Sequence, residues 1–109
     1  MKLDNLIQIG SIGVDSGQAM VGDPCYLNEW EPWNDKADKF EDHVNKKGEY
    51  SYLGACNATL DKGYGELGIG SAVVFSTGYG DGVYPVYAEM NEDGRVARVV
   101  IEFIGEDEE

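Results

Sequence analysis

Apolar and polar positions along this chain mostly alternate with the period of two that marks a β-strand, and in one place follow the period of a helix. Leu6 to Val14 is β-branched and glycine-punctuated, with Ile7, Ile9 and Val14 as strand positions and the glycines marking a bulge or bend. Asp15-Ser16-Gly17 reads as a turn, and Gln18 to Asp23 as a returning strand, so residues 6–23 are expected to form a hairpin that ends at Asp23-Pro24. Residues 34–47 carry the helical pattern: Asn34 as N-cap, Ala37, Phe40 and Val44 on one face, Asp35–Lys39 and Asp42–Lys46 at i,i+4, and Gly48 as a stop. Residues 49–56 read as a third strand with Tyr50, Tyr52 and Cys56 on one face. A glycine-rich loop is expected from Asn57 to Gly68, then strands at 69–76, from Val83 to Met90, and from Arg95 to Phe103. Asn91-Glu92-Asp93-Gly94 fits a type I turn with a bulge glycine between the last two.

These elements predict an α+β fold with β dominant. It has about six mostly antiparallel strands in a bent sheet or small barrel-like roll, with one helix, at about 34–47, over one opening. No repeat or linker interrupts the pattern. One globular domain is expected over residues 1–105, followed by an acidic tail at 106–109.

One stretch departs from generic strand or helix sequence: Ser76-Thr77-Gly78-Tyr79-Gly80-Asp81-Gly82, leading into Val83-Tyr84-Pro85-Val86-Tyr87. It reads as a loop whose backbone is set by Gly78, Gly80 and Gly82 and which presents Asp81 ahead of a strand.

Charge narrows the function classes. Among 109 residues, 21 are acidic and 8 basic, for a net charge of −13. Residues 102–109 hold five carboxylates and no base, so part of the excess is a solvated tail. Direct binding to nucleic-acid phosphates needs Lys and Arg clusters and is not expected. No run approaches a membrane helix and the first residues do not resemble a signal peptide, so a cytoplasmic protein with no membrane association is expected. Cys25 and Cys56 read as two reduced thiols. With His43 as the one histidine, they make no zinc spacing. Gly10-Ser11-Ile12-Gly13 lacks the lysine of a phosphate loop, and no cofactor is expected.

Two segments carry a resemblance. Val14-Asp15-Ser16-Gly17-Gln18 is followed by Gly22-Asp23-Pro24-Cys25-Tyr26-Leu27. Gly80-Asp81-Gly82-Val83-Tyr84-Pro85-Val86-Tyr87 is followed by Asn91-Glu92-Asp93-Gly94-Arg95-Val96 and an apolar strand through Phe103. Together they resemble the small phage and bacterial proteins of the domain of unknown function 4241. The resemblance covers about half the chain. It implies a compact β-rich domain of phage or bacterial source, in the host cytoplasm if phage-encoded. It implies no activity and assigns no functional residue.

Asp15, Asp23 and Asp81 each stand in a turn at a strand end, beside glycine or proline. If the strand ends share a rim, they form an oxygen-rich site for a ligand; otherwise each caps its own turn. Their spacing matches no calcium loop, and no metal site is expected. Tyr79 and Tyr84 flank the glycine loop as candidate contacts for a base, a sugar or a partner protein, or as core packing. Cys25 lacks a neighbouring base, since His43 is on the expected helix, and reads as a small buried residue. The chain is therefore expected to be a small acidic accessory or binding module holding a small ligand or a partner protein at a loop rim around Asp81, with Asp15, Asp23, Tyr79 and Tyr84 contributing. One alternative is an acidic inhibitor that imitates nucleic acid and blocks a basic protein. Another is a small hydrolase using the aspartates or Cys25.

Overall fold

A computed structural model describes residues 5–31 and 48–104. The fold is α+β with β dominant. Its six strands are Leu6–Val14 (β1), Gln18–Gly22 (β2), Tyr64–Leu67 (β3), Ala72–Ser76 (β4), Gly82–Met90 (β5) and Val96–Ile101 (β6). Among the described residues the helix Tyr52–Asp61 (α1) and a short 3-10 helix, Pro24–Glu29, accompany the strands. Every strand pairing is antiparallel, in two three-stranded sheets ordered β1-β5-β6 and β2-β4-β3. Among the described residues neither sheet closes into a barrel. The chain divides into two compact units: the segment up to Gly17 with Thr77 onward, and Gln18–Ser76.

In the first unit β5 is the central strand. Direct partners lie on one face of an antiparallel sheet. Ile7, Ala88 and Val99 therefore form one row, Gly10, Val86 and Ile101 the next, and Ile12 with Tyr84 a third, all on one face. A bulge between Gln8 and Gly10 keeps this apolar face in phase past Ile9. On the opposite face Arg98 pairs with Glu89 across the strands at 2.8 Å. The β5–β6 turn forms as expected. Gly94 takes φ +78, its amide donates to Asn91 O at 3.1 Å, and Asn91 Oδ1 accepts from the amides of Asp93 and Arg95.

In the second unit α1 packs on β3 and β4. Tyr50, Ala55, Ala58, Leu67, Ala72 and Val74 form its core, with Trp30 edge-on to Tyr50 at 4.9 Å. The small residues let helix and sheet approach closely: a Cβ on Gly65 would lie 2.8 Å from that of Ala58. Alternation divides the sheet cleanly, with Leu67, Ala72 and Val74 turned to the core while Val21, Val73 and Tyr64 are exposed.

Several expectations are corrected. Residues 6–23 are not a hairpin: β1 pairs with β5, and β2 with β4. The Asp15–Gly17 turn decides where the chain bends, but the nine-residue β1 finds its apolar match in the nine-residue β5, and β2 in the equally short β4. Residues 49–56 are not a strand. Ser51 adopts extended φ/ψ and its hydroxyl accepts from the Gly54 amide at 2.9 Å, which starts α1 at Tyr52. The loop expected over 57–68 contains the end of α1 and all of β3. Ile69 is not part of β4; it stands fully exposed beside Gly70 at φ +77, in the turn before it. The helix expected at 34–47, with His43, and the acidic tail lie outside the described residues.

Candidate functional site

The glycine stretch between β4 and β5 forms a tight loop around Thr77, which is 1 % exposed. The Gly80 amide donates back to Thr77 O at 2.7 Å and closes a turn. The Thr77 hydroxyl donates to Gly80 O at 2.6 Å, and the Tyr84 hydroxyl donates to the same carbonyl at 2.7 Å. One loop carbonyl thus takes two hydroxyl protons. The Tyr84 ring meets Phe103 edge-on at 5.1 Å. Gly78 needs to be glycine twice over: its φ is +47, and a Cβ there would meet Ile104 Cγ1 at 2.7 Å.

The loop is fastened to the Asp15–Gly17 turn at both polar ends of a single residue. The Gly17 amide donates to Asp81 Oδ1 at 2.8 Å, and the Gly17 carbonyl accepts from the Thr77 amide at 3.0 Å. Asp81 therefore serves the turn preceding β2, 64 residues away in sequence, instead of capping its own. Gly17 itself sits at φ +70. The result is a braced rim in the first unit, from which Tyr79 projects at 66 % exposure.

The expected site residues thus have distinct surroundings. Asp15 is exposed in the turn whose Gly17 binds Asp81, so the structure joins these two segments through Gly17. Tyr84 is committed to Gly80 through its hydroxyl. Asp23 belongs to the second unit, where its Oδ1 accepts from the Cys25 amide at 3.0 Å and caps the 3-10 helix. Among the described residues no group of three or more His, Cys, Asp or Glu is placed to hold a metal ion.

Both cysteines are free thiols, and one expectation for them is corrected. Cys25 is exposed, not buried. Desolvation of its sulfur, a hydrogen bond with Asp23 and the charges of Asp23 and Glu29 raise the thiol above its ordinary value. These effects disfavour the thiolate, the form a nucleophile needs. Cys56 accepts from Gln18 Nε2 at 3.5 Å, while Gln18 Oε1 accepts from the Thr59 hydroxyl at 3.0 Å. A hydrogen bond with Cys56, its charge and desolvation raise the Tyr52 hydroxyl above its ordinary value. Sequence reasoning missed Thr77 and Gly17 as the structural centre of the rim. Their signal was limited to residue type, a threonine before a glycine run and a glycine after Asp-Ser, because their partners are distant in sequence.

No helix among the described residues is long and apolar enough to cross a membrane. A family described as "Protein of unknown function (DUF4241)" matches residues 7–101. No curated protein and no solved structure matches the chain.

Proposed function

The chain belongs to the DUF4241 family, whose description assigns no activity, and from its own geometry we propose that it is an acidic binding module. It holds a small ligand or a partner protein at the rim built from the Asp15–Gly17 turn and the Thr77–Gly82 loop, and it works in the cytoplasm without contacting nucleic-acid phosphates. The observation that carries this reading is the double tie of Gly17 to Asp81 and Thr77. A loop fixed in this way presents its exposed groups with little ordering cost on binding. Tyr79 supplies a large amphipathic surface in the loop that also carries Asp81. The raised Cys25 thiol supports a binding role over a hydrolytic one.

Amide chemical-shift mapping against mixtures of fragments and short peptides tests the reading. Shifts are expected at Gly17 and over 77–82, and their loss in Tyr79→Ala while amide shifts elsewhere show the fold retained. Ligands that move only amides outside these segments overturn it.

A further inference from the structure

A shallow open groove of about 270 Å³ lies on the second unit, on the outward face of the β2-β4-β3 sheet. Its floor follows from the strand register. Val21 pairs with Val73 and Val73 with Glu66, so these three side chains form one row on the same face. Val21 is 57 % and Val73 49 % exposed, two apolar side chains side by side on the face turned away from the core. Among the described residues, two charged side chains line the groove, Glu66 and Asp23, and both are acidic. Both are surface carboxylates positioned by a backbone hydrogen bond: Glu66 Oε1 accepts from the Gly70 amide at 2.7 Å, and Asp23 Oδ1 from the Cys25 amide at 3.0 Å. Each is held by one oxygen, which fixes its place without neutralising its charge. Gly22 keeps the end of the groove narrow in backbone, since a Cβ there would sit 2.7 Å from the Ser71 carbonyl.

An apolar floor with a fixed pair of negative charges matches one kind of side chain: a long aliphatic stem that ends in a cation. We propose that this groove takes the arginine or lysine side chain of an extended basic segment on a partner protein, the stem across Val21 and Val73 and the head between Asp23 and Glu66. Charge complementarity selects this occupant. Among the described residues the lining holds no base, and a chain with 21 acidic and 8 basic residues draws cationic partners at long range. The described residues that line it all belong to the second unit, and the proposal does not depend on the reading given to the loop rim.

The probe is an acetylated, amidated pentapeptide with arginine between two valines and serine at each end, titrated into the full chain and followed by amide shifts. The expected result is movement of Val21, Gly22, Gly70 and Ser71, weakened about tenfold by the pair Asp23→Asn and Glu66→Gln. These isosteres keep both acceptor oxygens for the Cys25 and Gly70 amides and remove only charge. The same peptide with citrulline for arginine is expected to lose most of its affinity, which tests the charge even if the double variant does not fold. Salt raised to about 0.5 M is expected to weaken binding as well. The proposal is overturned if the arginine peptide leaves these amides still, if citrulline binds as well, or if the charge-neutral variant folds and binds unchanged. It is also overturned if spermidine occupies the groove and the peptide does not, because the occupant is then a small polycation and not a protein.

Discussion

The backbone amide of Gly17 donates to Asp81 Oδ1 at 2.8 Å, across 64 residues of sequence. The tie needs an acceptor oxygen at position 81 and no charge. Asp81→Asn is therefore expected to change stability by only a few tenths of a kcal/mol, and Asp81→Ala to cost about 1 kcal/mol, the net worth of one hydrogen bond. Urea denaturation of the two variants checks this. Equal losses in both would show that the charge, not the hydrogen bond, matters.

That tie also shows what was legible beforehand. The glycines of the 77–82 loop announce a turn that launches β5, because a positive φ requires them wherever the chain pairs onward. The Asn91–Gly94 turn was equally plain, since all its hydrogen bonds are local. The partners of Gly17 and Thr77 were not, because those bonds join segments that no local pattern relates. Likewise, Tyr50, Tyr52 and Cys56 mimic strand alternation, whereas Ser51 capping Gly54 starts a helix whose core contacts are alanines at 55 and 58. Small residues give weak periodicity, so the first half of α1 reads as the end of a strand over 49–56, and its second half and Tyr64–Leu67 read as loop. The pairing of β1 with β5 came from matched length and apolar faces, which turn chemistry at Asp15–Gly17 cannot report.

Cys25 should be a slow nucleophile. Desolvation, the hydrogen bond with Asp23 and the charges of Asp23 and Glu29 all raise its thiol, so less thiolate is present at a given pH than in a free cysteine peptide. In a Cys56→Ser background, the iodoacetamide rate plotted against pH is expected to rise at higher pH than for the peptide. Asp23→Asn removes the charge next to the sulfur, so it is expected to shift the curve back to lower pH and speed alkylation at neutral pH. A profile that coincides with the peptide's refutes the assignment.

Gly78 and Ile104 are coupled by space. A Cβ at position 78 would sit 2.7 Å from Ile104 Cγ1 and 2.8 Å from its Cδ1, at a φ of +47. Gly78→Ala carries both a backbone and a steric cost, about 1–3 kcal/mol together. Ile104→Ala removes the clashing atoms and leaves the backbone cost. In a double-mutant cycle, the pair is expected to be less destabilised than the sum of the singles by about 1 kcal/mol. Strict additivity would mean that the loop avoids Ile104 by moving.

The Gly80 carbonyl accepts the hydroxyls of Thr77 at 2.6 Å and Tyr84 at 2.7 Å, so each bond insures the other. A carbonyl oxygen has two lone pairs, and losing one partner leaves it satisfied. Thr77→Val and Tyr84→Phe keep the side-chain shapes and remove only the hydroxyls. Each single change is expected to cost about 0.5–1 kcal/mol, the net value of one bond. Removing both strips the carbonyl of both hydroxyl partners while the loop still holds it beside Thr77, which is 1 % exposed, and the penalty becomes that of a poorly solvated acceptor. The double variant is therefore expected to lose about 2–3 kcal/mol, more than the two singles combined. Equilibrium unfolding measures all three, and amide shifts over 77–82 locate the effect. If the double variant only sums the singles, water reaches the Gly80 carbonyl, and the two hydroxyls hold the loop independently of each other.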